Sequence, residues 1–364
     1  MKVMFITHSY LVDITRRKLE ILADMGIPVT LVTPPRWKHT LKKYNAENSK
    51  SGKIEIIKSP TVLDGNNFLY FFQSLKKLIK LARPDIVHVE EEPYSMAAYQ
   101  AVRAAKELGI KSIFFTWENI YKNHIFPLSY FETYVLKNTD YAIAGNIEAA
   151  NVLKRKGFKK GITVIPQMGI DTDLFCKRRN RTKQKNFIIG YVGRLAQEKG
   201  IEDLLSACSR IEGNWKLRLV GNGPFKIRIA SMAAKLGISG RIELAGFVPD
   251  DGIATEINKM DCMVLPSRTT PAWKEQFGHV LIEAMSCEVP VIGSNSGAIT
   301  NVIGQAGIIF PERDADALKN AMTMLIANPA LRKRFGTAGR KKVLRDYTWL
   351  SIAKKTAKIY GDMV

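Results

Sequence analysis

Short apolar runs alternate with amphipathic stretches along almost the whole chain. Met1–Thr7 is apolar almost throughout, as a parallel strand covered on both faces should be. Asp13 precedes a helical pattern of Ile14, Leu19 and Leu22 and is a candidate N-cap; Gly26 ends that helix. Further strands are expected at Val29–Val32, Ile54–Ile57, Asp85–Val89, Ser112–Thr116, Tyr141–Ala144 and Ile162–Ile165. Between them the pattern predicts an amphipathic helix over Phe68–Leu81, one ending at Leu108, and others at Tyr130–Lys137 and Ile147–Lys156. Arg36–Lys53 is polar and basic and reads as a mobile loop.

A second series starts at Phe187, with strands at Phe187–Val192, Lys216–Val220, Ile242–Leu244, Cys262–Leu265, Val289–Ile292 and Gly307–Ile309. Pro329–Val364 reads as two or three helices rich in Lys and Arg. Repeated βα units predict an α/β protein of two Rossmann-like, doubly wound parallel-sheet domains facing across a cleft. The N-terminal domain is expected over 1–170 and the C-terminal one over 171–345. Residues 346–364 form a last helix packing back on the N-terminal domain. The basic segment 176–186, which lacks apolar periodicity, follows the boundary.

Length agrees with this division, since 364 residues exceed what one core usually serves. No apolar stretch reaches the length of a membrane span, and the N-terminus reads as a strand rather than a signal peptide. The four cysteines are scattered, without a CxxC pair, which points away from zinc or disulfides and toward a reducing, cytoplasmic compartment. Charge adds more. The net +21 is shared nearly evenly by the two halves and favours anionic partners: nucleic acid, an anionic membrane face or phosphorylated substrates. A solvated lysine-rich surface accounts for the same number.

Three stretches carry candidate chemistry. Gly193-Arg194-Leu195, with Lys199-Gly200, follows the strand Phe187–Val192. A glycine turn, two cations and a helix start suit a diphosphate, and a plain solvated turn fits as well. Gly221-Asn222-Gly223-Pro224 repeats the strand-then-glycine-turn logic and is weak alone. Glu275 and Glu283 flank Gln-Phe-Gly-His, with a helix expected to open near Gly278. The backbone N–H groups from Phe277, Gly278, His279 and Val280 suit an anionic leaving group. A carboxylate such as Glu283 accepts two hydroxyls at once, as from a ribose.

GYVGRLAQEKG (190–200), LVGNGP (219–224) and EQFGHVLIE (275–283) resemble the retaining glycosyltransferases of family 4, which have the GT-B fold. IPQMGIDTDLF (165–175) resembles the family's inter-domain segment, and SGAITNVIGQAGIIF (296–310) its late glycine loop. The resemblance covers most of 165–364 and the N-terminal half in outline. It implies that Arg194 and Lys199 bind the diphosphate of a nucleotide-sugar donor, beside Gly193 and Asn222. Glu283 would grip the ribose, and Phe247 and Val248 would dock the base. Glu275, with the N–H groups of 277–280, would hold the sugar and phosphate. The implied reaction is sugar transfer with retained configuration, with neither metal nor cofactor. Two cations and a helix N-terminus would stabilise the departing diphosphate. The chain departs from the family at His8–Asp13, where a glycine pair is usual, and at Gly297–Asn301, where G-G-x-P-E is usual.

The acceptor side is expected in the N-terminal half. His88, Glu91 within the run Glu90–Glu92, and Glu118 end neighbouring strands; Asp13 is a further candidate. Any of these is a candidate base for an acceptor hydroxyl. The leading reading is a cytoplasmic hexosyltransferase acting on a glycan or lipid-linked saccharide, peripheral to the inner membrane face. A nucleotide-sugar epimerase is the alternative. A nucleic-acid-binding protein is a remote one, since no basic-aromatic stacking strip supports it.

Overall fold

The computed structural model describes residues 1–39, 42–178 and 185–364. Residues 40, 41 and 179–184 lie outside the described residues; they fall within the expected loop 36–53 and the expected basic segment 176–186. The chain divides into two compact units: unit 1, Met1–Gly169 with Trp349–Val364, and unit 2, Ile170–Thr348.

Unit 1 runs β1 (Val3–Ile6), α1 (Arg17–Asp24), β2 (Val29–Thr33), β3 (Arg36–His39), β4 (Lys42–Asn45), β5 (Glu55–Lys58), β6 (Thr61–Val62) and β7 (Phe71–Phe72). It continues with α2 (Leu75–Ala82), β8 (Ile86–Val89), α3 (Met96–Glu107), β9 (Lys111–Thr116), α4 (Leu128–Asn138), β10 (Tyr141–Ala144), α5 (Ile147–Arg155) and β11 (Gly161–Val164). Seven strands form one parallel sheet in the order β11-β10-β9-β8-β1-β2-β5. All four residues of β1 are buried because helices cover both faces. Met4 and Ile6 pack into one core with Val87, while Val3 and Phe5 pack into the other with Ile86. This is the two-residue period of a strand read from both sides.

Unit 2 contains β12 (Phe187–Val192), α6 (Ile201–Cys208), β13 (Trp215–Val220), α7 (Lys226–Lys235), β14 (Ile242–Gly246), α8 (Asp250–Ile257) and β15 (Cys262–Leu265). After them come α9 (His279–Ser286), β16 (Val291–Ser294), α10 (Ile299–Ile303), β17 (Gly307–Phe310), α11 (Ala315–Ala327) and α12 (Pro329–Asp346). Its parallel sheet has the order β14-β13-β12-β15-β16-β17. The final helix, α13 (Trp349–Met363), belongs to unit 1 and packs on α1. Its Ile352, Ala353, Ile359 and Tyr360 complete one face of the unit 1 core. Each fully buried large apolar side chain there stabilises by about 1.5–3 kcal/mol.

Three local expectations are corrected. Part of 36–53 forms the antiparallel hairpin β3–β4 rather than a loop, with Trp37 buried at its base. The helix expected from Phe68 begins only at Leu75, because Phe71 and Phe72 pair with Val62 and Thr61 as a short strand. Asp13 is not a cap: Val12 holds that position, and Asp13 opens a 3-10 turn whose Ile14 is exposed.

Candidate active site

In an open parallel sheet, ligands bind beyond the carboxyl ends of the strands where the strand order reverses. In unit 2 that point lies between β12 and β15. Lys199 follows β12, and Glu275 follows β15. The Lys199 ammonium lies 2.8 Å from Glu275 Oε2 and 4.5 Å from the centre of the Trp273 ring. Ser267, on the loop leaving β15, donates its hydroxyl to the same carboxylate oxygen at 2.9 Å. Glu275 is buried, and its backbone carbonyl accepts the Ala298 N–H at 3.0 Å. Gly297 makes that approach possible: its φ is +52°, and a Cβ there would sit 2.1 Å from the Glu275 carbonyl oxygen. A glycine is therefore required at 297 although the family's usual loop sequence is absent.

The helix α9 starts at His279, with Gly278 left-handed at its cap and no capping side chain. A helix N-terminus without a side-chain cap is the arrangement that receives an anion. Glu283 lies one turn in, and its Oε1 is 3.0 Å from His279 Nδ1. Phe277 packs partly against the unit 2 core together with Val280. Arg194 is exposed, and its side chain has no partner among the described residues; its carbonyl accepts the Tyr191 hydroxyl. Gly193, at the end of β12, is partly buried. Asn222 accepts the Gly223 N–H and so shapes its own turn. Phe247 stands 67% exposed beyond β14, and Val248 packs partly against the core. The structure thus gathers Lys199 and Glu275, and adds Ser267 and Trp273, for which the sequence suggests no role. A serine two residues past a buried strand is the available signal for Ser267.

Unit 1 has its own reversal, between β1 and β8. There a cavity of about 300 Å³ is bounded by His8 and the run Glu90–Glu92, with aromatic walls. Glu90 pairs with Lys18 and Tyr10 and accepts from Gln167 at 2.8 Å. Burial works to raise its pKa, but Lys18 and the neighbouring His88 hold it below the usual carboxylate range. Burial lifts Glu92 to about 7, against hydrogen bonds from Thr116 and the Trp117 N–H. Glu91 receives His8 and Tyr70.

The other acceptor-side candidates are not at this cavity. His88 is fully buried beneath it, stacked on Phe5 and 2.5 Å from the Tyr360 hydroxyl, and burial drives its pKa down to about 3. It is a core histidine. Glu118 is buried and held by Lys156 at 2.6 Å and His124 at 3.0 Å. Glu118, His124 and Glu132 bring ligand-type atoms within 4.8 Å of one another, but the Lys156 ammonium already bridges the two carboxylates. Asp13 accepts the Lys50 N–H and lies away from the cavity lining.

Two family models match. One, Glycosyltransferase Family 4, spans residues 15–174, and the other, Glycosyl transferases group 1, spans 175–342. The chain belongs to the family 4, group 1 glycosyltransferases. It is 30% identical to a glycogen synthase of Mycobacterium tuberculosis over 206 residues, covering 55% of this chain and 48% of that one. It is also 30% identical to a capsular polysaccharide biosynthesis glycosyltransferase of Staphylococcus aureus, covering 61% and 58%. The chain thus spans about half the length of the curated relatives it matches. A sucrose-phosphate synthase from Thermosynechococcus elongatus superposes with a TM-score of 0.74 at 21% identity, over 100% of this chain and 99% of that one. The Anabaena protein HepE in complex with UDP does so with 0.78 at 15%, over 100% of both. These likenesses show the fold, which is GT-B.

Proposed function

We propose that the chain is a hexosyltransferase that transfers sugar from a nucleoside-diphosphate donor, held by unit 2, with retention and without a metal. The observation that carries this is the part-buried Lys199–Glu275 pair at the strand reversal, beside the start of α9, which has no side-chain cap. A diphosphate draws the ammonium and the helix N-terminus, and the carboxylate freed from its partner turns to the sugar. Glu283 takes the ribose, Phe247 and Val248 the base, and the exposed Arg194 the outer phosphate. Transfer is favoured over epimerisation because the relatives carry synthase and glycosyltransferase names. The test is thermal unfolding with UDP- and GDP-sugars in EDTA. A bound donor at about a hundred times its Kd adds about 2.7 kcal/mol of stability. A melting temperature unmoved by every nucleotide sugar, or moved only when a divalent ion is added, sinks the reading.

The acceptor is assigned to unit 1 as a glycan or lipid-linked saccharide at an anionic, cytoplasmic membrane face. Among the described residues no helix is long and apolar enough to cross a membrane. Lys76, Lys77 and Lys80 on α2, with Arg36 and Lys38 on β3, supply the surface charge. Vesicles containing phosphatidylserine are expected to float with the protein at low salt and release it as salt rises. Equal flotation with neutral vesicles would contradict this.

A further inference from the structure

We infer that Ile125 and Phe126 form an apolar wedge by which unit 1 enters the acyl boundary of an anionic bilayer. The inference rests on the anionic membrane face read above and adds the element that penetrates it. Ile125 and Phe126 lie on the connection from β9 to α4, and each is 80% exposed. A single exposed apolar side chain is ordinary; an adjacent pair this exposed is not. The comparably exposed Ile14, Leu81 and Ile227 each stand singly in the sequence.

The connection is pinned on both sides of the pair. Before it, the Arg155 guanidinium lies over the Tyr121 ring, 3.9 Å from its centre. His124 Nε2 is 3.0 Å from the Glu118 carboxylate, and its ring centre is 4.2 Å from that of Tyr94, which lines the unit 1 cavity. After it, the Ser129 N–H donates to the Ile125 carbonyl at 3.1 Å and ties the pair to the first turn of α4. Tyr130 follows in that turn, half exposed, with its ring centre 5.6 Å from that of Tyr99 on α3. A ring with a polar tip beside exposed apolar side chains is the composition found at the level of lipid headgroups.

Charge decides the partner. α4 packs on α3, and α3 on α2, so the three helices form one layer over the unit 1 sheet. Lys77, Lys80, Lys106 and Lys137 are exposed cations of that layer. Its exposed acid, Glu107, is held by Lys76 at 2.6 Å and Arg103 at 2.8 Å. Glu132 and the neighbouring Glu118 are both drawn onto Lys156. The layer therefore carries surplus positive charge beside an apolar tip. An anionic lipid surface satisfies both, because its headgroups meet the lysines while the tip reaches the acyl chains. A second copy of the chain would bring its own lysines to the same contact and be repelled.

The test is flotation of the full chain with phosphatidylserine-containing vesicles at rising salt, for the wild type and for Ile125→Ser combined with Phe126→Ser. Both positions are exposed, so the double variant is expected to melt as the wild type does. It is expected to bind the vesicles about 100-fold more weakly, as follows from losing two partly buried large apolar side chains. Part of the wild-type binding outlasts salt that screens the lysines, and that part is lost in the variant. Equal affinity of the two proteins overturns the wedge. Binding that salt abolishes completely leaves the anionic-face reading in place and overturns the wedge, while a wild type that no vesicle binds overturns both. Phe126→Trp gives an independent readout as emission added to that of the five native tryptophans. The added emission is expected to be quenched by lipids brominated on the acyl chain; vesicle-bound protein in which it is not quenched overturns the proposal. A wild-type dimer in solution that the double variant makes monomeric also overturns it, since the tip then belongs to a second copy.

Discussion

Glu275→Gln lowers kcat about 10²–10³-fold and leaves donor KM nearly unchanged, measured by steady-state transfer at saturating acceptor. The size follows from where the charge is needed. Glu275 is buried, is met by Ser267 and Lys199, and is locked by the Ala298 N–H on its backbone. The amide keeps the shape and the Ser267 contact and removes only the charge. An interaction used on the transferring sugar is strongest in the transition state, so its loss appears in kcat. Glu283→Ala is the contrast. It sits one turn into α9 beside His279, and a ribose grip is equal in ground and transition states. Its loss raises donor KM and spares kcat. If both variants behave as wild type, the site is wrongly placed.

Lys199→Ala weakens donor binding about 10- to 100-fold, the worth of one charge-assisted hydrogen bond of about 1.5–3 kcal/mol. It also lowers the melting temperature of the free protein. Removing the ammonium takes from the buried Glu275 carboxylate a partner 2.8 Å away, and a buried charge stripped of a partner is destabilising. The two effects separate on titration. A loss of stability with unchanged donor affinity would make Lys199 a structural partner of Glu275 and nothing more. Lys199→Arg keeps the charge but spreads it over a planar fork, so it restores stability better than affinity.

The sheets of both units are legible in the amino-acid sequence. Buried parallel strands such as β1 and β12 are continuous apolar runs, and the glycine turns after β12 and β13 mark strand ends. The rest depends on distant pairing. The hairpin β3–β4 is hidden because its strands are polar and basic, the composition of a loop. The Phe68 helix is overextended in the sequence pattern because Phe71 pairs with Val62, which periodicity within one window does not see. His88 resembles a strand-end candidate, and its partner Tyr360 lies 272 residues away. In the candidate sites, Lys199 and Glu275 are each visible as types, but their pairing spans 76 residues. His8 stands out in the sequence for a missing glycine pair, because Glu91, its hydrogen-bond partner, stands 83 residues on.

The most direct test of the donor site is a calorimetric titration of wild-type protein and Lys199→Ala with UDP-glucose and GDP-mannose, in EDTA. Saturable one-to-one binding of at least one donor by the wild type, weakened about 10- to 100-fold in the variant, is the expected result. Equal affinity in the two proteins, or binding by the wild type only when a divalent ion is restored, would contradict it.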